Sequence, residues 1–89
     1  MEPVKNNLFV CPCCGQSTLE EDYEDSYEIC PECGWEREYA YELHPDKVLG
    51  FSNGDISLNM ARAYWNRYHR QIPYEFFNQS QFPNLKWDL

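Results

Sequence analysis

Cys11-Pro12-Cys13-Cys14-Gly15 and Cys30-Pro31-Glu32-Cys33-Gly34 both read C-P-x-C-G, and this repeated pentapeptide decides what the chain can become. Proline after the first cysteine presets φ, the two residues between cysteines let the chain turn so that both sulfurs face inward, and glycine takes positive φ as the chain leaves. Such a turn brings backbone amides toward the sulfurs, where they spread thiolate charge. Fifteen residues separate Cys14 from Cys30, giving C-x2-C-x15-C-x2-C, a spacing found in four-cysteine zinc sites. Cys11, Cys14, Cys30 and Cys33 are therefore expected to hold one Zn²⁺. The competing pattern, two disulfides, suits neither a reducing compartment nor a pair of matched turns. Four thiolates close the tetrahedron and leave no position for an activated water, so the expected role of the metal is structural. Cys13 aligns with Glu32 and should point away from the ion as a semi-exposed bystander, since no Lys, Arg or His next to it would stabilise a reactive thiolate.

A chain of 89 residues holds one domain (1–89) and buries too little surface to dispense with a staple. Its five cysteines are an odd number for a secreted disulfide framework. The opening MEPVKNNLFVCPCC lacks a basic stretch followed by an apolar run, so a cytoplasmic location is expected. No apolar stretch approaches the roughly 20 residues that a membrane-spanning helix needs. The formal charge is −8, and four thiolates around one Zn²⁺ would bring it to about −10. That balance repels phosphate backbones and anionic lipid, which argues against nucleic acid and membrane as partners and favours a basic protein surface. The plainer alternative is that the charge only keeps a small protein in solution.

The charge is unevenly placed. Glu20 to Asp55 contains twelve acidic residues against Arg37 and Lys47, a net of −10, whereas residues 56–89 carry a formal +2. In the acidic half, Leu8 to Val10 leads into the first cysteine turn. Thr18–Glu20 and Ser26–Ile29 read as a hairpin flanking residues 22–25, and Trp35 to Tyr39 alternates bulky and charged residues as a third strand would. After the turn-rich Ser52-Asn53-Gly54-Asp55, the residues Leu58, Ala61, Trp65 and Tyr68 recur at steps of three and four. They predict an amphipathic helix at about 58–69, N-capped by Ser57, with Arg67, His69 and Arg70 at its cation-favouring end. Asn59, Arg62, Asn66 and Arg70 would form its solvated face. From Pro73 onward no period is clear, which suggests an irregular aromatic wrap with a helical turn at most. The expected fold is thus small α+β: a zinc-ribbon-like hairpin or three-stranded sheet with two cysteine knuckles (8–40), one amphipathic helix (55–70) and an irregular C-terminal tail (71–89).

Cys-Pro-Cys-Cys-Gly at 11–15, Thr18-Leu19, Tyr27-Glu28-Ile29-Cys30-Pro31 with Cys33 and Trp35-Glu36, and Ser57-Leu58 with Ala61-Arg62 together resemble the bacterial cysteine-rich CPCC family over residues 9–69. The chain departs from the family pattern where Arg37 interrupts the acidic run after Trp-Glu, and where the Gly-x-Asn before the helix is reduced to Gly50 and Asn53-Gly54. The resemblance implies small cytoplasmic proteins with a zinc-binding head, no assigned catalysis, and a place among accessory or immunity genes of bacterial conflict loci.

Three functions compete. The first is a non-catalytic binding module whose acidic face docks a basic protein, for instance an immunity protein that neutralises a toxin such as a nuclease; carboxylates filling a phosphate-binding cleft also steer encounter. Aromatics of the tail, Phe82 and Trp87 among them, would serve either as anchors or as core, and Trp35, Trp65 and Tyr68 as core. The second is rubredoxin-like electron transfer through an iron–sulfur tetrahedron. Against it, the loop between the knuckles is much shorter than in rubredoxins and the aromatic and glycine pattern around their first knuckle is missing. The third is a thiol redox protein using Cys13 with Cys11 or Cys14, but a redox C-x-x-C opens a helix, and here Gly15 and a polar turn follow. His44-Pro45-Asp46 reads as a turn and His69 as a helix end. No nucleophile triad, phosphate loop or H-E-x-x-H helix is present, so no enzymatic activity is expected.

Overall fold

The computed structural model describes residues 8–21 and 26–89. Each C-P-x-C-G segment proves to be a hairpin turn in its own right. β1 (Phe9–Val10) enters the first and β2 (Ser17–Leu19) leaves it, antiparallel, with Phe9 opposite Leu19 and Val10 opposite Ser17. The register slips by one residue between these pairs, as a bulge requires. Within the turn, the Cys11 N–H donates to the Gln16 carbonyl (2.8 Å) and the Gly15 N–H to the Cys11 carbonyl (2.9 Å). The second turn repeats both bonds at the same offsets, Cys30 N–H to Trp35 O (2.9 Å) and Gly34 N–H to Cys30 O (2.9 Å). Gly15 and Gly34 leave their turns at φ +75° and +86°, a region that costs glycine little and other residues more.

This pairing corrects the expected sheet. The hairpin anticipated between Thr18–Glu20 and Ser26–Ile29 spans residues 22–25, which lie outside the described residues. Among the described residues its two arms are tied by a side chain, the Glu28 carboxylate, which accepts the N–H groups of Glu20 (2.9 Å) and Glu21 (3.1 Å). The anticipated third strand shrinks to one antiparallel bridge, Ile29 with Glu36, flanked by the Arg37 N–H to Glu28 O bond (2.9 Å). It cannot widen because the other edge of Glu36 is taken. The Asn53 carboxamide accepts the Glu36 N–H (3.0 Å) and donates to the Glu36 carbonyl (2.8 Å), acting as a one-residue strand partner. The chain then turns into α1 (Tyr39–Leu43), a helix the alternating pattern had hidden. Its buried Tyr41 packs edge-on against Trp35 (ring centroids 5.0 Å), and its hydroxyl accepts the N–H groups of Phe51 (3.0 Å) and Asn53 (3.1 Å). The bulky positions that looked like one face of a strand are thus core residues of a turn and a helix.

α2 (Leu58–Tyr68) matches the expected helix. Ser57 caps it, with Oγ accepting the Met60 N–H (3.1 Å), and His69 closes it in the left-handed region, φ +51°. Leu58, Ala61, Tyr64 and Trp65 face the core, while Tyr68 is half-buried and flanked by the Arg67 and Arg70 guanidinium groups.

The tail is more ordered than its sequence suggests. α3 (Tyr74–Phe77) and a 3₁₀ turn (Gln79–Gln81) fold back on the domain, held by the Asp55 N–H to Phe77 O bond (2.7 Å) and by the Asp55 carboxylate, which accepts from the Ser80 N–H (2.9 Å) and hydroxyl (2.7 Å). Phe76 is fully buried, its ring tilted against that of Tyr64 (centroids 4.9 Å apart) and met edge-on by Trp87 (5.0 Å). No helix among the described residues is long and apolar enough to cross a membrane. Since Phe76 sits at the junction of α2, α3 and Trp87, Phe76→Ala should cost about 3–5 kcal/mol in urea unfolding of the metal-loaded protein. A loss under about 1 kcal/mol would show that the tail is a surface appendage.

Candidate metal centre

The two knuckles bring four sulfurs together. The Sγ atoms of Cys11, Cys14, Cys30 and Cys33 all lie within 4.8 Å of one another. Two edges of the cluster run between the turns: Cys11 to Cys33 at 3.7 Å and Cys14 to Cys30 at 3.7 Å. A tetrahedral ion with metal–sulfur bonds of about 2.3 Å sets sulfur–sulfur edges of about 3.8 Å, whereas a disulfide needs about 2.05 Å. The cluster therefore has the dimensions of a four-thiolate metal site, and the cysteines are free thiols. These are the four residues that the spacing singles out.

Electrostatics shows what such a cluster needs. The Cys33 thiol and burial raise the Cys11 thiol far above its ordinary value. Burial, together with the Cys11 and Cys30 sulfurs, pushes Cys14 up to about 12. Cys33 is also raised: the Cys11 thiol pulls it down, but the Cys13 thiol and burial outweigh that. Only Cys30 is lowered; burial acts against its thiolate, and the Thr18 hydroxyl at 3.0 Å and the amides of Cys33 and Glu32 outweigh that cost. Four clustered sulfurs, three buried and that of Cys14 half-buried, cannot all ionise side by side unless a cation lies among them. The donors for the ionised form are already in place: amides of Cys14 and Cys13 serve Cys11, that of Gln16 serves Cys14, and that of Trp35 serves Cys33. These are the amide contacts that the C-P-x-C-G pattern implies.

Cys13 lies outside the four-sulfur cluster but is not the semi-exposed residue anticipated. It is 6% exposed, counted with the core, and its thiol neighbours that of Cys33. Arg62, read from sequence as part of a solvated helix face, is half-buried and donates from Nε to the Pro12 carbonyl (2.9 Å), bracing the first knuckle against α2. The second knuckle is braced by the Ile72 N–H donating to Cys33 O (2.8 Å). Arg62, Thr18 and Asn53 are supports that sequence reasoning missed. Arg62 and Thr18 stand inside the stretches that carry the family resemblance, but nothing local reveals that one reaches a carbonyl fifty positions away. Both histidines close helices, His44 at the end of α1 and His69 at the end of α2, and neither belongs to the sulfur cluster.

Two hairpin knuckles, a capped helix and four convergent thiols define a small cysteine-knuckle protein suited to binding a metal ion. The family model described as Cysteine-rich CPCC matches residues 9–72, and the chain belongs to that family. No curated protein matches the chain.

The division of labour among the cysteines is open to test. Cys30→Ala should abolish stoichiometric metal binding and the native circular dichroism. Cys13→Ala should keep full metal content and lose only about 1 kcal/mol for the small apolar volume removed. Metal loss in the Cys13 variant would place that residue among the ligands.

Proposed function

We propose that this chain is a non-catalytic scaffold whose fold is stapled by one Zn²⁺ on Cys11, Cys14, Cys30 and Cys33. The observation that carries the reading is the pair of 3.7 Å sulfur edges within a largely buried cluster whose thiols resist ionisation together. Bound there, zinc would neutralise the thiolates and tie the two knuckles into one unit, supplying energy that a small core lacks. Four protein ligands leave the ion no open position, and a closed site does not activate water. Elemental analysis should find one zinc per chain in a colourless protein, and a strong chelator should remove the metal and the native circular dichroism together. An oxidised iron–sulfur absorption band in protein from iron-supplemented cells would transfer the site to the electron-transfer reading. A metal-free chain with unchanged dichroism would end both.

The same reading extends to a partner. Glu20, Glu21, Glu32 and Asp46 are exposed on the acidic half, and Leu43, Val48 and Phe51, all within five residues of Asp46, are more than half exposed. Exposed charge together with exposed apolar side chains suits docking to a basic protein surface, with the charge setting the encounter rate. Toxin neutralisation is the form of this role that the family resemblance suggests, in a cytoplasmic setting. A basic protein recovered with the chain from its host should associate with it more slowly as salt rises, and more slowly again when Glu20, Glu21 and Glu32 are changed to lysine. An association rate indifferent to both treatments would rule out the acidic face.

A further inference from the structure

The dipeptide Asn53-Gly54 is the sequence most prone to spontaneous deamidation, because a residue without Cβ lets its backbone nitrogen approach the preceding carboxamide. Here the fold leaves the chain no choice of residue at either position. Asn53 must be a carboxamide, since it both donates to the Glu36 carbonyl (2.8 Å) and accepts the Glu36 N–H (3.0 Å). Gly54 must lack a Cβ: its φ is +65°, and an added Cβ would lie 2.5 Å from the Phe77 carbonyl oxygen. The reactive pair is therefore a consequence of the architecture.

The folded state also holds the pair shut. Asn53 is 2% exposed, its carboxamide is fixed at both ends by Glu36, and the Gly54 N–H is occupied by the Phe51 carbonyl (3.1 Å). The clamp depends on the second knuckle. Glu36 stands three residues beyond Cys33, and the intervening Trp35 accepts the Cys30 N–H through its carbonyl (2.9 Å). When the knuckle opens, Glu36 leaves and the Asn53 side chain is freed.

We propose that Asn53 is a covalent modification site kept closed by the folded head and opened by loss of the metal, so that deamidation there makes metal loss irreversible; this rests on the zinc reading above. In the reaction, the Gly54 nitrogen attacks Asn53 Cγ, a new C–N bond closes a cyclic imide, and the former carboxamide nitrogen departs as ammonia. One water then opens the imide to an aspartyl or isoaspartyl residue, so the net change consumes water and releases ammonia, with no oxidant or cofactor. The product cannot refold into the same place. A carboxylate has no N–H for the Glu36 carbonyl and brings charge into a buried position. The isoaspartyl form adds a backbone carbon and displaces Gly54 from the Phe77 carbonyl.

The full chain is incubated at one mildly alkaline pH and temperature in three states: zinc-loaded, chelated, and unfolded in guanidinium. Conversion at each asparagine is followed by peptide mass mapping. Asn53 should convert at least about tenfold faster in the chelated and unfolded samples than in the zinc-loaded one, because only opened molecules react. Asn59 and Asn66, which precede Met60 and Arg67, should lag in every sample. The proposal is overturned if zinc-loaded protein converts at Asn53 as fast as unfolded protein. It is equally overturned if chelation removes metal and dichroism while Asn53 stays as slow as in the loaded sample. Should the chain take up no metal and its native form still protect Asn53 relative to guanidinium, the zinc reading fails while the Glu36 lock is supported.

Discussion

Four sulfurs within 4.8 Å of one another, three of them on buried cysteines, form an arrangement that a cation stabilises and that its absence penalises. The other features of the head follow from that constraint. The two knuckles share the same hydrogen-bond offsets because each must aim two sulfurs and several amides at one point. Thr18 faces Cys30, and Arg62 and Ile72 each grip a knuckle carbonyl, so both turns are fastened to the helical part of the chain as well as to each other. In a chain this short, burial alone closes the balance narrowly. Much of the core is itself arranged around the cysteines, with Leu19 at the end of the first hairpin and Trp35 at the exit of the second both fully buried.

A second constraint is the shortness of the strands. Two- and three-residue strands leave most of their backbone groups without a ladder, and such groups must be satisfied if buried. Side chains do this work here. Asn53 completes Glu36, the Glu28 carboxylate takes two amides, the Tyr41 hydroxyl takes two more, and Asp55 holds Ser80. Each substitute bond links segments distant in sequence. Polar residues in loops thus become the connectors between the metal head and the helices.

That substitution explains which parts of the structure were legible. Cys11, Cys14, Cys30 and Cys33 were readable because ligand spacing and turn chemistry are local, and α2 was readable because its period and its Ser57 cap are local too. The third strand was misread because alternation at Trp35 to Tyr39 has two causes that look alike: a half-buried strand, or a turn followed by a helix that buries Trp35 and Tyr41 from different directions. The deciding fact is the Asn53 carboxamide on the edge of Glu36, seventeen positions away. Phe76 escaped notice for a similar reason. A four-residue helix offers no period, and its burial depends on Tyr64 and Trp87. Cys13 looked peripheral because its alignment with Glu32 suggested an outward position, yet its thiol neighbours Cys33 inside the core.

The acidic half also has to be divided before its charge is given a role. Glu28, Glu38, Glu42 and Asp55 are engaged as clips: Glu28 on Glu20 and Glu21, Glu38 on Ser52, Glu42 on Arg37 at 3.0 Å, and Asp55 on Ser80. Arg37, which interrupts the acidic run expected after Trp35-Glu36, therefore cancels a carboxylate inside the domain and leaves the exposed surface as acidic as before. Among the described residues of the acidic half, the carboxylates that project freely enough to act on a partner are fewer than the composition implies, and Glu20, Glu21, Glu32 and Asp46 are the exposed ones. Fields from a handful of exposed charges decay over about 8 Å at physiological salt. Their effect is therefore on how a basic surface approaches, and any lasting hold must come from exposed apolar side chains such as Leu43, Val48 and Phe51.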